Sequence, residues 1–267
     1  MLGGTKMVEE VNQNDRPGSG WKSLFRIGGA AALLAGILFR RNLGVEIELF
    51  SPVLYPETVS DWFVLLQGNR LIGLAYLNIF DLVHYALVGV TFLALYAALQ
   101  RTNKSYMLIA VTSGLVGITV YFASNTAISM LALSDQYAVA SKATEQNILI
   151  GAGKALLAAN RFSSPGVHPG TGGYISLFLI ATAGLITSIV MLRSAVFYRA
   201  AAYVGILAGI LDLAYCIGFI FVPMIDGEQL ALLFIPAAGL FWMIWYILVG
   251  WKLHRLGKGN LPDPTIR

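Results

Sequence analysis

The chain has 267 residues, 57% hydrophobic and only 12% charged, with a mean hydropathy of +0.71. Soluble domains carry about 25% charged residues, so half that share excludes a water-facing surface over most of the molecule. The net charge of +4 does not point to nucleic acid, because the basic residues flank apolar runs instead of clustering on one face.

Residues 1–20, MLGGTKMVEEVNQNDRPGSG, are polar and rich in Gly and Asn, which predicts a flexible tail. Six apolar runs follow, at about 22–40, 71–99, 106–133, 173–192, 200–222 and 230–251. The core of the first, Ile27 to Phe39, is short enough for a signal peptide. Arg40, Arg41 and Asn42 then stand where a cleavage site needs small residues, so a short spanning helix with Arg26 and Arg40 reaching the two interfaces is expected. Each of the other five reaches about 20 residues, enough to cross ~30 Å of hydrocarbon at ~1.5 Å per residue.

Counting Lys and Arg orients the chain. With the N-terminus inside, twelve basic residues fall on the cytoplasmic side and six outside, which predicts cytoplasmic N- and C-termini in the cell membrane. Two outer segments are long. Residues 42–69 contain Pro52, Pro56 and the aromatic pair Trp62 and Phe63. Residues 134–172 open on Ser134 and Asp135, either of which suits a helix N-cap. Ile148, Leu149, Ala152, Leu156 and Ala159 then recur at helical spacing, predicting an amphipathic helix on the outer surface. The breaker-rich SSPGVHPGTGG at 163–173 lacks the Gly-Lys-Ser/Thr ending and preceding strand of a phosphate-binding loop.

In the fifth run Ala201, Gly205 and Gly209 form a small-residue stripe suited to close helix approach. Cys216, the single cysteine, lies in the same run, so neither an intrachain disulfide nor a thiolate metal site can form. Pro236 predicts a kink in the sixth run, followed by Trp242, Trp245, Tyr246 and the interfacial Trp251. The expected architecture is therefore all-α. It is a polytopic integral membrane bundle of six transmembrane helices plus the outer amphipathic helix, with residues 21–256 one membrane domain and 257–267 a cytoplasmic tail.

A weak internal symmetry is visible. NIFDLVHYALVG in the second run aligns with AGILDLAYCIGF in the fifth, and SGLVGITVY in the third with AGLFWMIWY in the sixth. A three-helix unit so repeated would insert with inverted topology, as in many secondary transporters. Chance similarity between oily helices accounts for matches this short equally well.

Ionisable residues inside apolar runs are costly and mark function or a specific helix contact. On a continuous helix Asn78, Asp81, His84 and Tyr85 share one face, with Asp81 near mid-depth. Asp212 borders the small-residue stripe, with Tyr215 three residues on, and Asn125 ends a further polar patch with Tyr121 and Ser124. Asp81, His84 and Asp212 could relay a proton or cation. The same residues could equally pin helices by hydrogen bonds, typically worth about 0.6–2 kcal/mol in a membrane. A contact between Asp81 and Asp212 makes the fifth helix the expected neighbour of the second.

Chemistry of other kinds finds little footing. His84, His168 and His254 are predicted at mid-membrane, outer loop and inner tail, so they cannot converge on a metal or a haem, and there is no HExxH. No GxSxG signature is present, and Lys142 and Lys154 lie in the outer segment where they cannot hold retinal. No catalytic residue, metal or cofactor is assigned.

The stretches NTAISMLALSDQYAVASKATEQNILIGAGKALLA, GGYISLFLIATAGLITSIVMLRSAVFYRAAAYVGILAGILDL and WYILVGWKLHRLG resemble an uncharacterised prokaryotic family of multi-spanning membrane proteins, a domain of unknown function. The similar region covers most of 20–256 and implies a polytopic membrane protein without transferring a site. Two functions stay in view: transport of a small solute coupled to protons or ions, and a non-catalytic membrane subunit or assembly protein. An intramembrane lipid-modifying enzyme is disfavoured. The expected partners are the lipid bilayer and either a second copy or a membrane partner subunit.

Overall fold

The computed structural model describes residues 19–46, 56–159, 170–221 and 227–259, and the regular elements among them are all helical. A 3-10 turn at Ser19–Trp21 leads into α1 (Lys22–Glu46). There follow α2 (Val59–Gly68), α3 (Arg70–Tyr76), α4 (Ile79–Leu99), α5 (Lys104–Ser124), α6 (Ala127–Val139), α7 (Ala143–Ala159), α8 (Thr171–Leu192), α9 (Arg199–Phe221) and α10 (Gly227–Gly257). Five stretches are long and apolar enough to cross a membrane: Ile79–Leu99, Lys104–Val139, Thr171–Leu192, Arg199–Phe221 and Leu233–Gly257. The chain is an all-helical, multi-pass membrane protein. Most of the predicted tails, and the loop with His168, lie outside the described residues.

Two predicted runs are not single helices. The 71–99 run divides between α3 and α4 at Asn78, whose φ of 61° and ψ of 33° place it in the left-handed region. Its short amide side chain is among the few that tolerate this conformation. The α3 ladder ends as the Leu77 N–H donates to Gly73 O at 3.1 Å, and a new ladder starts as Asp81 N–H donates to Asn78 O at 3.2 Å. The 106–133 run divides at Asn125, which is extended at φ −68°, ψ 125°. Its Oδ1 accepts the Ala127 N–H at 3.1 Å and so starts α6. Both segments remain apolar across the break, so hydropathy alone could not register either one.

The expected N-cap at Ser134 or Asp135 is also corrected, because both lie inside α6 and the following helix begins at Ala143. Their polar groups serve tertiary contacts instead. The Ser134 hydroxyl donates to Phe63 O at 3.1 Å, and Asp135 pairs with Arg70 at 2.8 Å.

The long helices pack as a ring in the order α1, α4, α5, α8, α9, α10 and back to α1, with α1 against α10 and α5 against α8 the most intimate pairs. Glycine makes both approaches close: a β-carbon on Gly29 would come within 2.6 Å of the His254 backbone nitrogen, and one on Gly117 within 3.1 Å of Ser176 O. The small-residue stripe seats α9 on α8, since a β-carbon on Gly209 would meet Ala181 O at 3.3 Å. Asp212 therefore lies on a helix flanked by α8 and α10. This corrects the expected pairing of the second and fifth spans, for α4 packs along α1 and α5 instead.

The two long predicted loops are largely helical where described, and they fold onto each other. Val59, Trp62, Phe63, Leu66, Leu77, Ala127 and Met130 form a hydrophobic core of their own beside the bundle. Leu156 and Leu157 of α7 pack against it, joining α2, α3, α6 and α7 into one cap. A capping box starts α2: Thr58 Oγ1 accepts the Asp61 N–H at 3.2 Å, and the Asp61 carboxylate accepts the Thr58 N–H at 2.9 Å.

Candidate functional site

The broken α3–α4 and α5–α6 pairs run antiparallel and meet at their breaks. Asn125 Nδ2 donates to Asn78 O at 3.4 Å, forming one rung. One turn farther along, the Tyr121 hydroxyl donates to Asp81 Oδ2 at 3.0 Å, forming the next. Asn78 and Asn125 thus belong to a common junction, and Asp81 occupies the first turn of α4. That placement sets Asp81 near one end of the apolar stretch Ile79–Leu99, where the continuous 71–99 run had put it near the middle. A carboxylate there also faces the positive end of the helix dipole.

Asp212 is the deeper of the two carboxylates. It lies in the middle of α9, is 7% exposed, and accepts the Trp242 indole N–H at 2.6 Å. Trp242 belongs to α10, and the tip of its indole lies directly over Gly184 of α8, where no side chain intervenes.

Aromatic side chains fill the interval. Tyr121 packs on Tyr85 with ring centroids 4.5 Å apart, and Tyr85 meets His84 at 5.4 Å. His84 meets the Tyr246 ring edge-on at 5.8 Å, and Tyr246 lies 6.2 Å from Trp242. His84 is buried and also hydrogen-bonds the Ala35 backbone of α1. Tyr85 sits within electrostatic reach of Asp81, Asp212 and Tyr246 together. Asp81, Tyr121, Tyr85, His84, Tyr246, Trp242 and Asp212 therefore follow one another in contact through the interior. The two carboxylates need not touch for one polar chain to join them.

Of the predicted residues, Asn78, Asp81, His84, Tyr85, Asn125 and Asp212 lie on this chain or at the junction of the helix breaks. Tyr215 does not. It packs with Cys216, Tyr174 and Phe219 in a separate cluster, because three residues beyond Asp212 the helix has turned toward the start of α8. Trp242 and Tyr246, which are not among the predicted site residues, complete the chain. A usable signal was present: an indole N–H well inside a membrane helix needs an acceptor, and Asp212 needs a donor. Among the described residues no three His, Cys, Asp or Glu side chains gather as metal ligands.

A family model described as a domain of unknown function (DUF4386) matches residues 65–251, so the chain belongs to that family. The matched residues run from α2 to α10 and hold both carboxylates, whereas α1 lies before them. No curated protein and no solved structure matches.

Proposed function

We propose that this member of a family of unknown function moves a small solute or ion across the cell membrane, coupled to protons held by the Asp81 and Asp212 carboxylates. The observation that carries this reading is the unbroken chain of polar and aromatic side chains between them. Phenol hydroxyls and imidazole can each donate and accept, so Tyr121, Tyr85, His84 and Tyr246 are the groups able to pass a proton, whereas the Trp242 indole only donates and ends the chain at Asp212. Buried ionisable residues in membrane helices are costly, and this chain links two of them.

In this reading α1 is a sixth span. It runs antiparallel to α10, with Arg26 donating to Gly257 O at 3.0 Å at one end and Gly36 against Met243 toward the other. Its 25 residues reach about 37 Å, more than the hydrocarbon core requires. The Lys/Arg bias then sets both termini in the cytoplasm and the α2–α3–α6–α7 cap outside. The ring order is compatible with a duplicated three-helix unit. Asp81 bonds the helix after its own, and so does Asp212.

The test is a pH-gradient assay on the purified protein in liposomes. Wild type is expected to dissipate the gradient, and Asp81→Asn or Asp212→Asn to slow this by at least about tenfold. A wild type that dissipates nothing overturns the transport reading. A second reading, a non-catalytic subunit, draws on a different observation: each carboxylate already has its own donor on the next helix, as a structural pin needs. It expects no flux, and a partner that copurifies in gentle detergent.

A further inference from the structure

We infer that the junction of the two helix breaks is a binding site for a monovalent alkali cation, sodium in size, held by Asp81, Tyr121, Asn78 and Thr126. This deepens the transport reading, on which it rests for its role, by naming a coupling ion. The binding itself is measurable without transport.

Four observations converge there. A helix end leaves backbone groups that need partners, and here two such ends face each other across one polar contact where the bundle meets the cap. Asp81 brings the negative charge, and its carboxylate also accepts the Tyr121 hydroxyl at 3.0 Å. Asn78 begins α4 without using its side chain as a cap, which leaves its amide oxygen for another partner. Thr126, the residue between Asn125 and α6, is only 8% exposed, and its Oγ1 is buried with no hydrogen-bond partner, nor does it cap α6. A hydroxyl held out of water and unbonded is unfavourable unless something fills its lone pairs.

The donor set selects the ion. All these ligands are oxygens, which suits alkali and alkaline-earth cations and not the metals that prefer imidazole or thiolate. One carboxylate among neutral oxygens balances a single positive charge, whereas calcium sites draw on about 6–8 oxygens and commonly on several carboxylates. The core of Leu77, Ala127 and Met130 adjoins the junction.

The experiment is thermal unfolding of the full chain in detergent, in sodium, lithium, potassium or choline chloride at equal ionic strength. Sodium is expected to raise the Tm over choline in a saturable way. Asp81→Asn and Thr126→Val should weaken the apparent affinity by about tenfold or more. Thr126→Ser, which restores the hydroxyl, should recover the shift, and Asp212→Asn should keep it. Equal melting of wild type in all four salts overturns the site, as does a wild-type sodium shift in Thr126→Val. A sodium shift without flux leaves the site standing and removes the transport reading. Flux without any cation-dependent shift does the reverse.

Discussion

Among the described residues Asp212 accepts one side-chain hydrogen bond, from the Trp242 indole N–H at 2.6 Å, and removing that donor tests it. Trp242→Phe keeps an aromatic ring on α10 but removes the N–H together with the indole tip that lies over Gly184. The expected loss is at least the hydrogen bond's share, about 0.6–2 kcal/mol of unfolding free energy, measured by reversible unfolding in detergent, with the pH-gradient flux falling as in Asp212→Asn. Gly184→Leu attacks the same contact sterically, because the indole tip already occupies the space a side chain would take. At this scale the sequence was informative about the acid and not about its partner. Asp212 stands out in an oily run, whereas Trp242 looks like any other aromatic packing residue until the 30 residues between them are folded.

Among the helices, the breaks at Asn78 and Asn125 set the geometry, and each rests on one residue. Asn78→Gly is expected to leave stability nearly unchanged, and Asn78→Val to cost about 1–2 kcal/mol, because a β-branched residue resists the left-handed conformation. Unfolding measurements on the two variants decide it. The start of α2 carries a pH dependence of its own. The Thr58 hydroxyl and N–H hold the exposed Asp61 carboxyl below the usual carboxylate range. A depressed carboxyl stabilises its helix fully above its unfolded pKa, and the contribution is lost as pH falls through the lower folded value. Amide protection in α2 should therefore be constant from neutral pH down to about 4 and decline below it. Asp61→Asn should flatten that decline. The capping box could be read from Thr58 and Asp61 as a pattern. The breaks could not, since hydropathy sums side chains and carries no record of one backbone dihedral.

For the whole molecule, the ring of α1, α4, α5, α8, α9 and α10 places the start of α1 beside the end of α10, and the proposed topology puts both termini in the cytoplasm. Reporter fusions at each terminus test it. Both should read as cytoplasmic, and a periplasmic or external N-terminus would remove α1 from the set of spans. Composition and run length by themselves determined that this chain is helical and crosses a membrane, because burial of apolar surface and backbone hydrogen bonding are decided by local content. They also marked Asp81, His84 and Asp212, since ionisable residues are conspicuous in hydrocarbon-length runs. Only the tertiary structure decided that Asp81 meets Tyr121, that Asp212 meets Trp242, and that Tyr85, His84 and Tyr246 close the interval between them. Those contacts depend on which helix lies beside which and how each is rotated, and hydropathy is nearly blind to both when helices are apolar on every face.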